Sequence, residues 1–234
     1  MKRILNLVIV LLFGSASLTY AQDFWHEKDV KYYSKDSISK KGFTLIFVSR
    51  DSTFSKTTSE QLKQTFFKVY PELASQYNKY TAKKVEFIIE PRYDGVAATT
   101  GNIVVFNPQW FRKNPNDIDV VTHEVMHIVQ GYGDNAGPGW LTEGIADYVR
   151  NKYGVANPEA NWTMPEWNPK QSYTDAYRVT ARFLTWAEKR HNKKLVKKLD
   201  TAMRNHTYSD QMWKNLTGKT VDELWKEYES NPTL

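Results

Sequence analysis

Thr122-His123-Glu124-Val125-Met126-His127 is the stretch on which the reading of this chain turns. It falls in a segment that opens at Asn116, an N-cap type residue with Asp119 three places on, and runs to Gly131, a C-cap type residue, so a helix is expected. With 3.6 residues per turn, positions 123 and 127 lie about 40° apart in azimuth and one turn apart in height, so both imidazoles can face one metal ion. Glu124 sits about 100° round from His123, badly placed to join that ligand pair. It can instead reach a water held at the metal and act as general base.

Two histidines do not close a metal site, and composition restricts what else can. The 234 residues are 41% hydrophobic and 25% charged, an ordinary globular balance, and contain no cysteine. Thiol nucleophiles, redox pairs and cysteine-rich zinc ribbons are thereby excluded. A third ligand must be His, Asp or Glu, and only five histidines exist. After a Gly/Pro-rich connection from Gly131 to Gly139, a second helical stretch runs from Leu141 to about Tyr153. Within Trp140-Leu141-Thr142-Glu143-Gly144-Ile145-Ala146-Asp147-Tyr148, the carboxylates of Glu143 and Asp147 stand four apart on one helical face, and either suits.

His123-Glu124-x-x-His127 followed by Trp140-Leu141-Thr142-Glu143-Gly144 resembles the gluzincin metallopeptidases. The chain is more closely similar to the basic secretory protein family of plants and bacteria. That resemblance rests on Thr122 to His127, Gln130, Gly137-Pro138-Gly139, Glu143 to Arg150, Val179-Thr180-Ala181-Arg182-Phe183-Leu184 and Gly218-Lys219-Thr220-Val221-Asp222-Glu223-Leu224-Trp225. It covers about Phe43 to Tyr228, with the motifs in order. It implies an α+β zincin-like fold, one zinc ion per chain and zinc peptidase activity.

The resemblance also implies that Glu143 is the third ligand. Counting about twenty residues past the second histidine, as in the thermolysin-like branch, lands on Asp147 instead. Motif match and side-chain reach favour Glu143. Asp147 is then expected to accept the other ring N–H of a ligating histidine, His123 by preference, and fix its tautomer. The metzincin spacing is not met, because Gln130 and Gly133 occupy the places where it requires Gly and His.

The chemistry these residues suit is metal-assisted peptide hydrolysis: zinc on His123, His127 and Glu143 activates a water, and Glu124 takes its proton and passes it towards the leaving amine. An oxyanion donor is sought among Tyr173, Tyr177 and Arg182, with Tyr177 preferred because it precedes the Val179-to-Leu184 motif. The alternative is a non-catalytic secreted defence or cell-wall binding protein that keeps zinc for structure only. Endopeptidase and aminopeptidase cleavage stay equally open.

Outward from this centre, Phe43 to Val48, Val85 to Ile89 and Gly101 to Phe106 read as strands, with Asp94 to Thr100 a Gly-, Ala- and Thr-rich loop. Gly101 to Phe106 reads equally well as the edge strand that pairs with an extended peptide or as an interior strand. Thr57 to Tyr80 reads as one long amphipathic helix or two short ones, Pro71 marking a kink. Asn157 to Tyr173 reads as an irregular loop. Thr174 to His191, Lys193 to Asn205 and Thr220 to Ser230 read as helices, making the C-terminal half mainly helical.

At the other end, Lys2 and Arg3, an apolar run from Ile4 to Phe13 and small residues up to Ala21 have the form of a secretory signal. The apolar run is about ten residues, roughly half of the ~20 that cross a bilayer, which favours a cleaved signal over an anchor. The expected organisation is a signal peptide at 1–21, a loosely ordered polar segment at 22–41 and a single peptidase domain at 42–234. A secreted or periplasmic location follows, with a peptide or protein substrate and no stable membrane anchor. The formal charge of +6, two of which leave with the signal, is too small to imply nucleic acid. A monomer is the expectation, although nothing in the sequence sets oligomeric state.

Other features carry less. The basic run Lys189 to Lys198 reads first as a solvated helix face and second as an anionic-polymer site. The eight tryptophans suit core or cleft wall better than a sugar platform. His26, His191 and His206 have no ligand-spaced partner. Asn161, Asn205 and Asn215 begin glycosylation acceptor triplets, which matter only in a eukaryotic source.

Overall fold

Phe43–Ser49 alternates buried and half-open side chains before ending in a fully buried stretch, the mark of a strand inside a sheet covered on both faces. It is β2 of five. The computed structural model describes residues 31–234; the expected signal at 1–21 and residues 22–30 of the polar segment lie outside the described residues. Residues Tyr32–Leu234 make one compact unit.

The sheet joins β1 (Ser34–Lys40), β2, β3 (Lys84–Ile89), β4 (Ala97–Thr100) and β5 (Ile103–Phe106) in the order β1-β2-β3-β5-β4. β2, β3 and β5 are parallel, and the two outer strands are antiparallel to their neighbours. Parallel neighbours need a long crossover, which α1 (Lys56–Gln76) supplies between β2 and β3. Leu62, Phe66, Tyr70 and Leu73 of α1 are fully buried, with Phe66 against Phe87 and Phe87 against Phe106. At about 1.5–3 kcal/mol for each large apolar side chain, this layer is a principal source of stability. That burial keeps α1 continuous through Pro71.

Two expectations about the sheet need correcting, and one open alternative is decided. The segment 22–41, read as loosely ordered, supplies edge strand β1 over Ser34–Lys40, paired along its length with β2. Its side chains are almost all exposed, so no hydrophobic alternation announces it. The loop expected at Asp94 to Thr100 contains β4, joined to β5 by a two-residue turn in which Gly101 takes a φ of +56°. β5 is consequently interior, and β4 is the edge.

The second half is helical. After the short α2 (Pro108–Lys113) come α3 (Val120–Gln130), α4 (Gly139–Tyr153), α5 (Tyr177–Arg190), α6 (Leu195–Arg204), α7 (Gln211–Thr217) and α8 (Val221–Ser230). The whole is α+β: a mixed N-terminal sheet with a mainly helical C-terminal half. α2 and α7 are helices that the sequence pattern does not announce. α3 begins three residues later than the Asn116 cap implies, because the residues before it are used elsewhere. Asn116 donates to the Glu159 carbonyl at 3.2 Å, and Asp117 pairs with Arg150 and accepts from Trp110. Fully buried Asp119 accepts from Thr122 Oγ1 and from the amides of Val155 and Ala156.

The far end of α3 is fixed as firmly. Gly131 caps it in the left-handed conformation with a φ of +52°. Its last carbonyls are covered by Thr81 on Ile128, Asn78 on Val129, and Arg204 on Val129 and Gln130. Arg204 is itself held by buried Asp200 at 2.5 Å. The helix that carries the histidines is thus tied to the sheet layer and to α6 at once.

Candidate metal centre

α3 turns His123 and His127 towards α4, and α4 turns Glu143 towards them. His123 Nε2 and His127 Nε2 lie 3.1 Å apart, and Glu143 Oε2 is 3.2 Å from the first and 3.5 Å from the second. Gly144 sets how α4, the helix that carries Glu143, packs on α5 (Tyr177–Arg190). A Cβ there would meet Thr180 Cγ2 of α5 at 2.2 Å, so only glycine lets α4 settle against α5. The same packing brings the start of α5, with Tyr177, beside Glu143.

The outer ring nitrogens decide which tautomers stand at the centre. Gln130 Nε2 donates to the Thr142 carbonyl at 2.9 Å, so its Oε1 is the atom that faces His127 Nδ1 at 2.7 Å. That nitrogen must therefore carry the hydrogen, leaving the Nε2 lone pair pointing inwards. Asp147 Oδ1 is 2.7 Å from His123 Nδ1 and acts likewise. Two nitrogen lone pairs and a carboxylate oxygen converge, all ligand atoms lying within 4.8 Å of one another.

Such a donor set requires positive charge at its middle. Burial opposes a charge on His123, but hydrogen bonds to Asp147 and Glu143 outweigh it and hold its pKa well above the ordinary imidazole value. Burial would raise the Glu143 carboxyl, yet hydrogen bonds from His123 and His127 keep it well below the usual carboxylate range. Two imidazoles and one carboxylate, with the remaining directions open, fit a catalytic zinc site.

Glu124, read as the base, is buried on α3 beside β4. Thr99 Oγ1 of β4 stands 2.7 Å from its Oε2 and 3.1 Å from its carbonyl oxygen. Tyr177 lies with its ring nearly parallel to His123, centroids 6.2 Å apart, and is about half exposed. Burial, and then the charges of Glu143, Glu124 and Asp147, raise its hydroxyl pKa, so it keeps its proton. Tyr93 flanks the same pocket: burial, then Glu124, pushes its hydroxyl up to about 12, and it donates to the Ala97 carbonyl at 3.1 Å.

Of the other candidates, Asp147 is not among the converging ligand atoms, which include Glu143. Tyr173 and Arg182 are directed elsewhere. The Tyr173 hydroxyl donates to Asp222 at 2.7 Å, and Arg182 pairs with Glu166 at 2.7 Å and reaches the Pro232 carbonyl. Thr99, Tyr93 and the orienting part of Gln130 are not apparent from the sequence pattern. Gln130 has a usable signal, three residues after His127 on the same helical face. Thr99 has none, since its contact with Glu124 spans 25 positions.

The fold and centre together define a class: an α+β chain with a His-His-Glu metal site built on two adjoining helices. The chain belongs to the family described as peptidase of plants and bacteria, whose model matches residues 28–228. Among solved structures it is similar to an M1 zinc metallopeptidase from Deinococcus radiodurans, at 15% identity and a TM-score of 0.46, over 80% of this chain and 47% of that one. A two-domain M1 zinc metallopeptidase mutant bound to L-tryptophan is similar at 14% identity and a TM-score of 0.44, over 84% of this chain and 48% of that one. This chain thus spans about half the length of those structures. No curated protein matches it.

Proposed function

We propose that the protein is an exported zinc-dependent metallopeptidase, with one zinc per chain on His123, His127 and Glu143 and Glu124 as general base. The observation that carries this reading is the convergence of those three ligand atoms beside a buried Glu124 held by the edge strand. Bound zinc would supply Lewis-acid polarisation at the centre. The chain's own residues do the rest. An extended peptide pairs with the open side of β4, which brings its scissile carbonyl beside α3. The Glu124 carboxylate takes a proton from the attacking water and delivers it to the leaving amine. The Tyr177 hydroxyl, its pKa raised by burial and then by its acidic neighbours, donates to the oxyanion. Asp147 and Gln130 hold the two imidazoles in the tautomers that leave Nε2 free. The signal-like residues 1–21 support export and cleavage after Ala21.

Glu124→Gln tests the reading directly. It should leave about one zinc per chain by metal analysis and abolish chelator-sensitive cleavage of a mixed peptide library, since it removes the base and no ligand. A wild type that cleaves nothing, while still holding zinc, would favour the non-catalytic binding protein. Loss of zinc in the variant would show that the ligand set is wrong.

A further inference from the structure

A cluster of positive charge that takes no part in this chemistry gathers around one cavity. Lys152 at the end of α4, Lys193 and Lys194 before α6, and Lys197 and Lys198 on the outside of α6 line a cavity of about 650 Å³. Its floor includes Ala202, Met212 and Leu216. Among the described residues Glu188 is the one carboxylate on its wall, so five ammonium groups against one carboxylate leave a surplus of four.

Lysines near helix C-termini, or along the outside of an amphipathic helix, are ordinary features. What sets these apart is their grouping: five of them line one cavity together with a single carboxylate among the described residues. Among the described residues none of the five cavity lysines forms an ion pair, and the Glu188 carboxylate accepts the Tyr148 hydroxyl instead. Two of the five are held in place without losing their charge. Lys152 Nζ lies 5.5 Å and 5.7 Å from the ring centroids of Tyr148 and Tyr153, and Lys197 Nζ lies 5.5 Å from that of Tyr77 and 2.6 Å from Gln76 Oε1.

We propose that this cavity is a second binding site, separate from the metal centre, for a linear polyanion with repeating phosphate groups. Lys194, Lys197 and Lys198 stand at i, i+3 and i+4, with stems about 5–6 Å apart, which suits a run of closely spaced charges better than one anion. Among the described residues no arginine lines the wall, so the anion meets ammonium point charges, which serve repeating phosphates, rather than a planar fork that grips one group bidentately. No aromatic ring lines it either, so it offers bases nothing to stack on. α4 and α5 run side by side in the same sense, Gly144 against Thr180 and Tyr148 against Glu188. Their first turns carry Glu143 and Tyr177 and their last turns lead to the lysines. Nine residues of helix put Lys152 about 14 Å from Glu143 along the axis. A polymer bound there leaves the metal centre open and holds the protein on an anionic matrix.

The test is binding of fluorescent long-chain polyphosphate to the full chain, read by anisotropy across a salt series. Lys194→Gln with Lys198→Gln should weaken binding at least tenfold and lower the slope of log K against log salt by about 1.5, at roughly 0.7–0.9 for each phosphate no longer neutralised. The melting temperature should not move. Lys68→Gln with Lys226→Gln, two exposed lysines elsewhere, should weaken binding less than twofold. The proposal falls if the cavity variant binds as tightly as wild type, or if the control pair weakens it as much. It also falls if a single-stranded oligonucleotide of equal charge binds as well as polyphosphate. None of these readouts depends on peptidase activity.

Discussion

The Thr99 hydroxyl reaches from edge strand β4 to Glu124 Oε2 at 2.7 Å, and so joins the strand on which a peptide would lie to the group that would take the proton. A hydrogen bond to a charged partner contributes about 1.5–3 kcal/mol. Thr99→Val keeps the shape and removes the donor, so kcat should fall by about 10- to 100-fold with KM within about twofold. Thr99→Ser should restore most of the rate. Steady-state kinetics on one peptide substrate separate the cases, and a valine variant with unchanged kcat would show that Glu124 needs no such hold.

The two outer hydrogen bonds of the histidines should be read in metal affinity. Removing an orienting partner of this kind costs about 10- to 100-fold. Gln130→Ala and Asp147→Ala should each weaken zinc binding by about that factor in a competition titration. Asp147→Asn, which can still offer an oxygen to His123 Nδ1, should lie between Asp147→Ala and wild type. Equal affinity in all four proteins would mean that the imidazoles are positioned by packing alone.

Residues whose signal is local are legible in the sequence, and residues whose partners are distant are not. His123 and His127 declare themselves through one helical turn, and Glu143 and Asp147 through another. β1 is invisible because nearly every side chain in it faces water. β4 is four residues long with half-open faces, so Ala97 to Thr100 offers no alternation and reads as part of a glycine-bounded loop. α2 and α7 span six and seven residues, about two turns or less, where nucleation makes local propensity a poor guide. Thr99 and Tyr93 reach the centre only because the sheet order places β4 outside β5. Tyr177 is picked out by a motif that follows it, whereas the bonds of Tyr173 to Asp222 and of Arg182 to Glu166 show only in the fold, because each spans many positions.

Gly144 offers a test of how the centre is assembled. An added methyl would lie 2.2 Å from Thr180 Cγ2, and the buried seam between α4 and α5 has no slack to absorb it. Overpacking of this sort costs about 1–3 kcal/mol. Gly144→Ala should lose that much in urea denaturation and should also weaken zinc binding, because α4 carries Glu143. Thr180→Ser removes Cγ2 and keeps the hydroxyl that donates to the Tyr173 carbonyl at 2.6 Å, but leaves Cβ 2.6 Å from the added methyl, so the double variant should regain only part of both losses. A double variant no better than Gly144→Ala would place the fault outside this contact.

The expected helix over Thr174 to His191 is interrupted where α5 begins, and the interruption bears on stability. Ala176 has a φ of +64° and a ψ of −171°, a region populated almost only by glycine, and Tyr177 follows at +49°. A residue held there costs about 1–3 kcal/mol. Glycine would relieve that strain, while the extra freedom it gives the unfolded chain takes back about 0.4–1 kcal/mol. Ala176→Gly should therefore stabilise the protein by about 1 kcal/mol, or about 2–4 °C in melting temperature for a domain of this size. Its turn is fixed independently by the Ser172–Asp175 capping box and by Thr180 on the Tyr173 carbonyl, so Tyr177 should stay over His123 and peptidase rates should change little. A lower melting temperature would mean that the backbone at 176 does not hold this conformation in solution. A higher one with a collapsed rate would mean that the strain itself aims Tyr177.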